Sequence, residues 1–157
     1  MPTELQNKLR DIAESIFEIT CYMFPMDPDE IEEMHPDVDM KQEQFRSAKV
    51  TFHGAATGAM VISADEQLFV SIAANMLGVD ETHDNEKEAA LREIANIICG
   101  NTVPLFAKNG KICYIDPPEI YKNDSKLAEL YKDYNHCELT LYLDEGVSQI
   151  SIFYKEG

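Results

Sequence analysis

Two stretches of this chain, 82 residues apart, repeat one pattern of apolar residues. The first reads LRDIAESIFEITCYMF (9–24) and the second reads LREIANIICGNTVPLF (91–106); seven of the 16 aligned positions are identical. Both have apolar residues every three or four positions, which is the pattern of an amphipathic helix. The shared register indicates a duplicated unit built around two related helices. We therefore predict a single domain over 1–157, with repeats at roughly 4–78 and 84–156.

Hairpins and shorter helices are predicted around these two stretches. Helices are predicted at 4–24, from Asp65 to about Leu77, at 85–106 and from Asp124 to about Tyr134. Strands are predicted at 45–53, 56–63, 110–116, 137–143 and 147–154. The long second helix is expected to break or bend near Gly100 and Pro104. The fold class is therefore α+β, with an antiparallel sheet and two long pseudo-symmetric helices on one face.

The charge of the chain narrows the classes of partner. Its 13 basic and 29 acidic residues give a net charge of −16, which excludes a nucleic-acid binder and disfavours an anionic membrane surface. No apolar run approaches 18 residues, and the first residues lack the pattern of a signal peptide. We expect a cytoplasmic protein with reduced cysteines. The acidic segment 27–43 is predicted to be a solvated loop.

The second long helix presents one polar strip. With 100° per residue, its apolar side chains fall in one arc, while Glu93, Asn96, Gly100 and Pro104 gather on the opposite side. Glu93 and Asn96 lie one turn apart. A glycine inside a helix costs about 1 kcal/mol relative to alanine. Because Gly100 removes bulk beside the pair, it would let another protein approach closely.

The Glu-x-x-Asn spacing alone is weak evidence, since short motifs recur by chance. Glu4 and Asn7 form a second match, which we interpret as a decoy at the end of the chain, outside the repeat register. Solvated surface residues remain the plain alternative for Glu93 and Asn96. The four histidines and four cysteines show no spacing typical of a metal site or a Cys–His nucleophile.

The string EIANIICGN (93–101), followed by KNGKICYIDPP (108–118), resembles the CheC/CheX/FliY phosphatases of bacterial chemotaxis, and most of all their single-site CheX branch. The resemblance implies a CheC-like duplicated fold and a helix that docks on a phosphorylated CheY-like receiver. It makes Asn96 the residue that orients a water toward the phosphoaspartate. It makes Glu93 the anchor that pairs with a receiver lysine, with Gly100 and Asn101 also at the partner surface.

The same resemblance implies no cofactor in this chain, with Mg²⁺ in the receiver's own phosphorylation site. It also implies a homodimer that continues a sheet; the final strand would offer such pairing if it lay at a sheet edge. Asp11 and Glu14 stand where a second pair would be, so one site is expected. The family often has Asp or Ser where Ala89 stands, and a proline at the position of Glu119, whereas Pro118 is one residue short.

Three functions follow as hypotheses. The first is a phosphatase acting on the phosphoaspartate of a response regulator in chemotaxis or two-component signalling. The second is a receiver-binding adaptor with little or no activity, which Ala89 and the displaced proline favour. The third is a structural component of the flagellar switch, which would assemble with its partners regardless of phosphorylation.

Overall fold

A computed structural model of the chain describes residues 3–27, 45–79, 83–121 and 126–156. The helices in these ranges are α1 (Glu4–Cys21), α2 (Glu66–Leu77), α3 (Asp84–Thr102) and α4 (Lys126–Leu130), and a 3-10 turn (Val103–Phe106) follows α3. The strands are β1 (Arg46–Gly54), β2 (Ala56–Ala64), β3 (Cys113–Ile115), β4 (Glu119–Tyr121), β5 (Asn135–Leu143) and β6 (Gly146–Glu156).

The strands form one sheet in which the pairs are antiparallel. The strand order is β3-β1-β2-β6-β5, and β4 also pairs with β1, beyond the end of β3. Helices α1, α2 and α3 pack against one another; α1 lies on β5, α2 on β6 and α3 on β1 and β2. The predicted α+β class, with two long helices on an antiparallel sheet, is confirmed.

The centre of the sheet is the pairing of β2 with β6. It runs from Ala56 opposite Glu156 to Ala64 opposite Ser148. Gly58 permits this close approach, because a Cβ at that position would lie 1.8 Å from the Phe153 carbonyl oxygen. Alternate side chains of the two strands are fully buried in the core, which supports the helices. They include Met60, Ile62, Ile150 and Ile152.

Local caps fix the ends of the first two helices. Thr3 and Gln6 form a capping box at the start of α1, and the Asp65 carboxylate accepts a hydrogen bond from the Leu68 N–H at the start of α2. Tyr22 has a left-handed backbone (φ 57°) and ends α1. The predicted end at residue 24 was therefore wrong, because this cap ends the helix at Cys21.

Several predicted bounds differ from the structure. The strand predicted at 110–116 is confined to β3, because Asn109 and Gly110 have positive φ and close a tight turn. Strand β4 was not predicted, since three residues after two prolines carry no readable alternation. The helix predicted to end at Tyr134 is α4, which ends at Leu130. Its predicted start, Asp124, lies outside the described residues. Most of the predicted acidic loop also lies outside them.

The final strand is an inner strand. β6 lies between β2 and β5, so the condition for its pairing with a second copy, a position at a sheet edge, is not met. The edge beyond β5 is covered by α1: Gln6 Nε2 donates to the Glu138 carbonyl, and Arg10 donates to the Thr140 carbonyl at 3.3 Å. Met26 N–H donates to the Tyr142 carbonyl at 2.9 Å on the same edge. These bonds satisfy backbone acceptors that a further strand would need.

We predict that Gly58→Ala lowers the free energy of unfolding by about 2 kcal/mol or more, because the added methyl group collides with β6 backbone that cannot move without opening the sheet. Thr57→Ala is the matched control, since Thr57 is the exposed neighbour in the same strand, and it should change stability by about 0.5 kcal/mol or less. Denaturant unfolding measures both. Equal effects of the two variants would contradict the role of Gly58.

Candidate functional site

Helix α3 is the longest described helix and is held on its apolar side. Glu86 caps its start by accepting a hydrogen bond from the His83 N–H at 2.9 Å. The buried residues follow the helical period and contact α1, α2, β1 and β2. They are Ala90, Leu91, Ile94, Ala95, Ile98, Cys99 and Thr102. The opposite side of a helix fixed in this way is a rigid platform for polar side chains.

Glu93 and Asn96 lie on that opposite side, as predicted. Glu93 is exposed and Asn96 is half-buried. Neither side chain makes a hydrogen bond or an ion pair with any other residue in the described ranges. Ala89 is also exposed, one turn before Glu93. The carboxylate and the amide are therefore both available to a partner molecule.

Gly100 lies one turn after Asn96 on the same strip. A Cβ built there would meet only the Cδ1 of Ile115, at 3.8 Å, which is an ordinary contact. Its φ is that of the helix around it, so neither crowding nor backbone conformation requires glycine at this position. The described part of the chain therefore offers no internal reason for a glycine at this position. Ile115, from β3, is a neighbour of the site that no pattern in the sequence indicated.

The α-helix continues through Gly100, ends at Thr102 and changes to the 3-10 turn that contains Pro104. The break predicted near Gly100 and Pro104 therefore lies between these two residues. Two side chains bond back onto the last turn: Asn101 Nδ2 donates to the Ile97 carbonyl and Thr102 Oγ1 to the Ile98 carbonyl, each at 2.7 Å. These bonds hold the turn despite the glycine. The first bond engages the side-chain N–H of Asn101, a residue that is itself exposed.

The corresponding place on α1 has a different chemistry. Asp11 is exposed and Glu14 is half-buried. Burial raises the pKa of the Glu14 carboxyl, while nearby Arg10 lowers it and Asp11 raises it. The place of the amide is therefore taken by an acid. The decoy pair is also engaged, because Glu4 forms an ion pair with Lys8 at 3.1 Å.

The cysteines are free thiols in the structure, and the most buried ones are poor nucleophiles. Burial raises the pKa of the Cys21 and Cys99 thiols to about 12, and it raises the pKa of Cys137 as well. Within the described ranges, no group of three or more His, Cys, Asp or Glu side chains could hold a metal ion. None of the helices in these ranges is long and apolar enough to cross a membrane.

Comparison with known proteins identifies the family of this chain. The family model for the chemotaxis phosphatase CheX matches residues 46–141, which is more than half of the sequence. The chain belongs to the CheX family. The match includes α3 with Glu93 and Asn96. A search among curated proteins finds no match.

Solved structures share the fold. A chemotaxis protein CheX from Vibrio vulnificus has a TM-score of 0.69 and 17% identity, with 99% of each chain covered. CheX from Desulfovibrio desulfuricans has a TM-score of 0.71 and 14% identity, covering 98% of this chain and 100% of that one. CheX from Borrelia burgdorferi, in a complex with CheY, BeF3 and Mg²⁺, has a TM-score of 0.63 and 18% identity, covering 96% and 97%.

We predict that Gly100→Ala raises the free energy of unfolding by about 0.5–1 kcal/mol. Alanine is the better helix former, and its methyl group has room beside Ile115. Thermal or denaturant unfolding of the variant against the wild type is the measurement. A loss of stability would show that the folded chain itself requires glycine at this position.

Proposed function

We propose that this protein is a phosphatase that docks α3 on a phosphorylated CheY-like receiver and hydrolyses its phosphoaspartate. The observation that carries the proposal is the unengaged pair of Glu93 and Asn96 on a rigid helix beside Gly100. Asn96 orients the attacking water, and Glu93 pairs with a lysine of the receiver. Gly100 and the outward face of Asn101 contact the partner.

The chemistry suits a site with so few parts. An acyl phosphate is already activated, and phosphoryl transfer depends mainly on positioning the attacking water in line with the leaving oxygen. A neutral amide can hold that water without repelling the phosphoryl oxygens. A carboxylate in the same place would repel them, so Glu93 belongs one turn away, opposite a cation. By this reasoning Glu14, at the equivalent place on α1, does not provide a second site.

The receiver supplies the remaining charge. In a phosphorylated receiver, the bound Mg²⁺ neutralises the developing negative charge. This chain then has to supply only the amide that positions the water and one anchoring carboxylate. The BeF3 and Mg²⁺ in the Borrelia burgdorferi complex with CheY support this division of parts. The negative charge of this chain is compatible with docking on such a receiver, because the contact is local and long-range repulsion is screened at physiological salt.

The family resemblance also supports a homodimer that forms through a sheet edge. The topology limits which edge could take part. With β6 inside the sheet and the β5 edge covered by α1, the edge formed by β3 and β4 is the one left for sheet continuation among the described strands. Both strands are only three residues long. Pairing with a second copy there would leave α3 exposed on its outer side.

We predict that Asn96→Ala reduces the acceleration of receiver dephosphorylation by about 100-fold, because the water is no longer held in line. The measurement is the decay of a phosphorylated CheY-like receiver with Mg²⁺, alone and with wild type or variant. The matched control is Asn7→Ala, which removes the asparagine of the decoy pair and should leave the rate unchanged.

The outcomes separate the candidate functions. Acceleration by wild type that survives in Asn96→Ala would contradict the role of Asn96. Binding that depends on phosphorylation without faster decay would instead make this protein an adaptor, which the exposed Ala89 beside Glu93 favours. Binding that is stable and independent of phosphorylation would favour a structural component of the flagellar switch.

We predict that Gly100→Ala weakens the acceleration although the folded protein becomes more stable. The methyl group projects from the strip that contains Glu93 and Asn96, where it would hold the receiver away from the helix. A displacement of about 1 Å can cost about 100-fold in rate. The same decay assay measures the effect. Full activity in a variant that is also more stable would show that the strip needs no clearance at residue 100.

A further inference from the structure

The carbonyl oxygen of Gly100 lacks its usual helical donor. In an α-helix each carbonyl accepts a hydrogen bond from the N–H four residues on. For Gly100 that residue is Pro104, which has no N–H. The N–H of Val103 is bonded to the Cys99 carbonyl, at the end of α3. Gly100 is therefore the first residue of α3 whose carbonyl cannot receive the helical bond.

This carbonyl lies on the strip of the candidate site. Gly100 is on the same side of α3 as Glu93 and Asn96, and its carbonyl points along the helix toward the exposed Pro104. The free carbonyls at a helix C-terminus also carry the negative end of the helix dipole, which favours a donor or a cation there.

The neighbouring carbonyls are treated differently by the sequence. Those of Ile97 and Ile98 each receive a side-chain hydrogen bond, from Asn101 and Thr102, in addition to the helical one. Neither of these two side chains donates to the Gly100 carbonyl. The carbonyls of α3 are thus occupied up to Cys99, and the first one without a helical donor belongs to half-buried Gly100, on the strip of Glu93 and Asn96.

We propose that the Gly100 carbonyl accepts a hydrogen bond from an N–H group of the bound receiver, and that Pro104 keeps this acceptor open. The inference rests on the proposed function, since it concerns the same docking surface. It gives Pro104 a role at this surface, because the proline withholds the donor that would compete for the Gly100 oxygen. Pro104 is in this sense a positioning residue for recognition, without contact to the reacting phosphoryl group.

The test compares two replacements of Pro104. Pro104→Ala restores an N–H four residues after Gly100, whereas a variant with lactic acid in place of Pro104 has the same methyl side chain but no N–H. The affinity of each is measured for a receiver carrying a non-hydrolysable phosphoryl analogue, and kcat and KM are measured in the decay assay. Thermal unfolding confirms that both variants are folded.

We expect Pro104→Ala to weaken binding and raise KM by about fivefold, the effect of one neutral hydrogen bond, with kcat unchanged. The lactic acid variant should bind like the wild type. Equal affinity of the alanine variant and the wild type would overturn the inference while leaving the proposed phosphatase intact. Equal weakening in both variants would assign the effect to the proline ring and also overturn it. If the wild type neither binds nor dephosphorylates a receiver, the proposed function itself fails.

Discussion

The pairing of β2 with β6 joins two separate hairpins into the single sheet on which the helices rest. β1 and β2 come from the first part of the chain, and β5 and β6 from its end, so this long-range pairing closes the fold. It depends on Gly58, where two backbones approach too closely for any side chain. Helix α3 packs on strands β1 and β2 of this sheet. The sheet therefore also positions the polar strip on the outer side of α3.

The position of α3 explains how a small site can be specific without a deep cleft. A helix fixed by its buried side holds Glu93 and Asn96 at a set spacing of one turn, which is the precision that orienting a water requires. In the function that we propose, the receiver supplies the metal ion and the phosphoryl group that complete the site. On that proposal, this protein folds stably without a complete catalytic centre, because the centre would form only in the complex.

The sequence predicted the parts that depend on periodic patterns. The long helices, both hairpins and the side of α3 that holds Glu93 and Asn96 all follow from apolar spacing, which tertiary packing reinforced. The predictions that were wrong or incomplete concern features that depend on the backbone conformation of single residues or on contacts between distant segments. Tyr22 ends α1 by adopting a left-handed conformation that propensity does not favour for tyrosine. The inner position of β6 is a matter of topology, and alternation in a strand does not report its neighbours. The duplication of the two halves stays a prediction.

Gly100 shows how an unexplained cost in a folded chain can point to a partner. A helical glycine lowers stability, and no residue in the described ranges requires it here, since a Cβ at Gly100 would make one ordinary contact, with Ile115. Pro104 adds a second departure on the same strip, because it ends α3 and removes a backbone donor. Asn101 and Thr102 offset these losses with their bonds to Ile97 and Ile98. A turn that is weakened on its exposed side and reinforced elsewhere is what a surface shaped for another molecule would require.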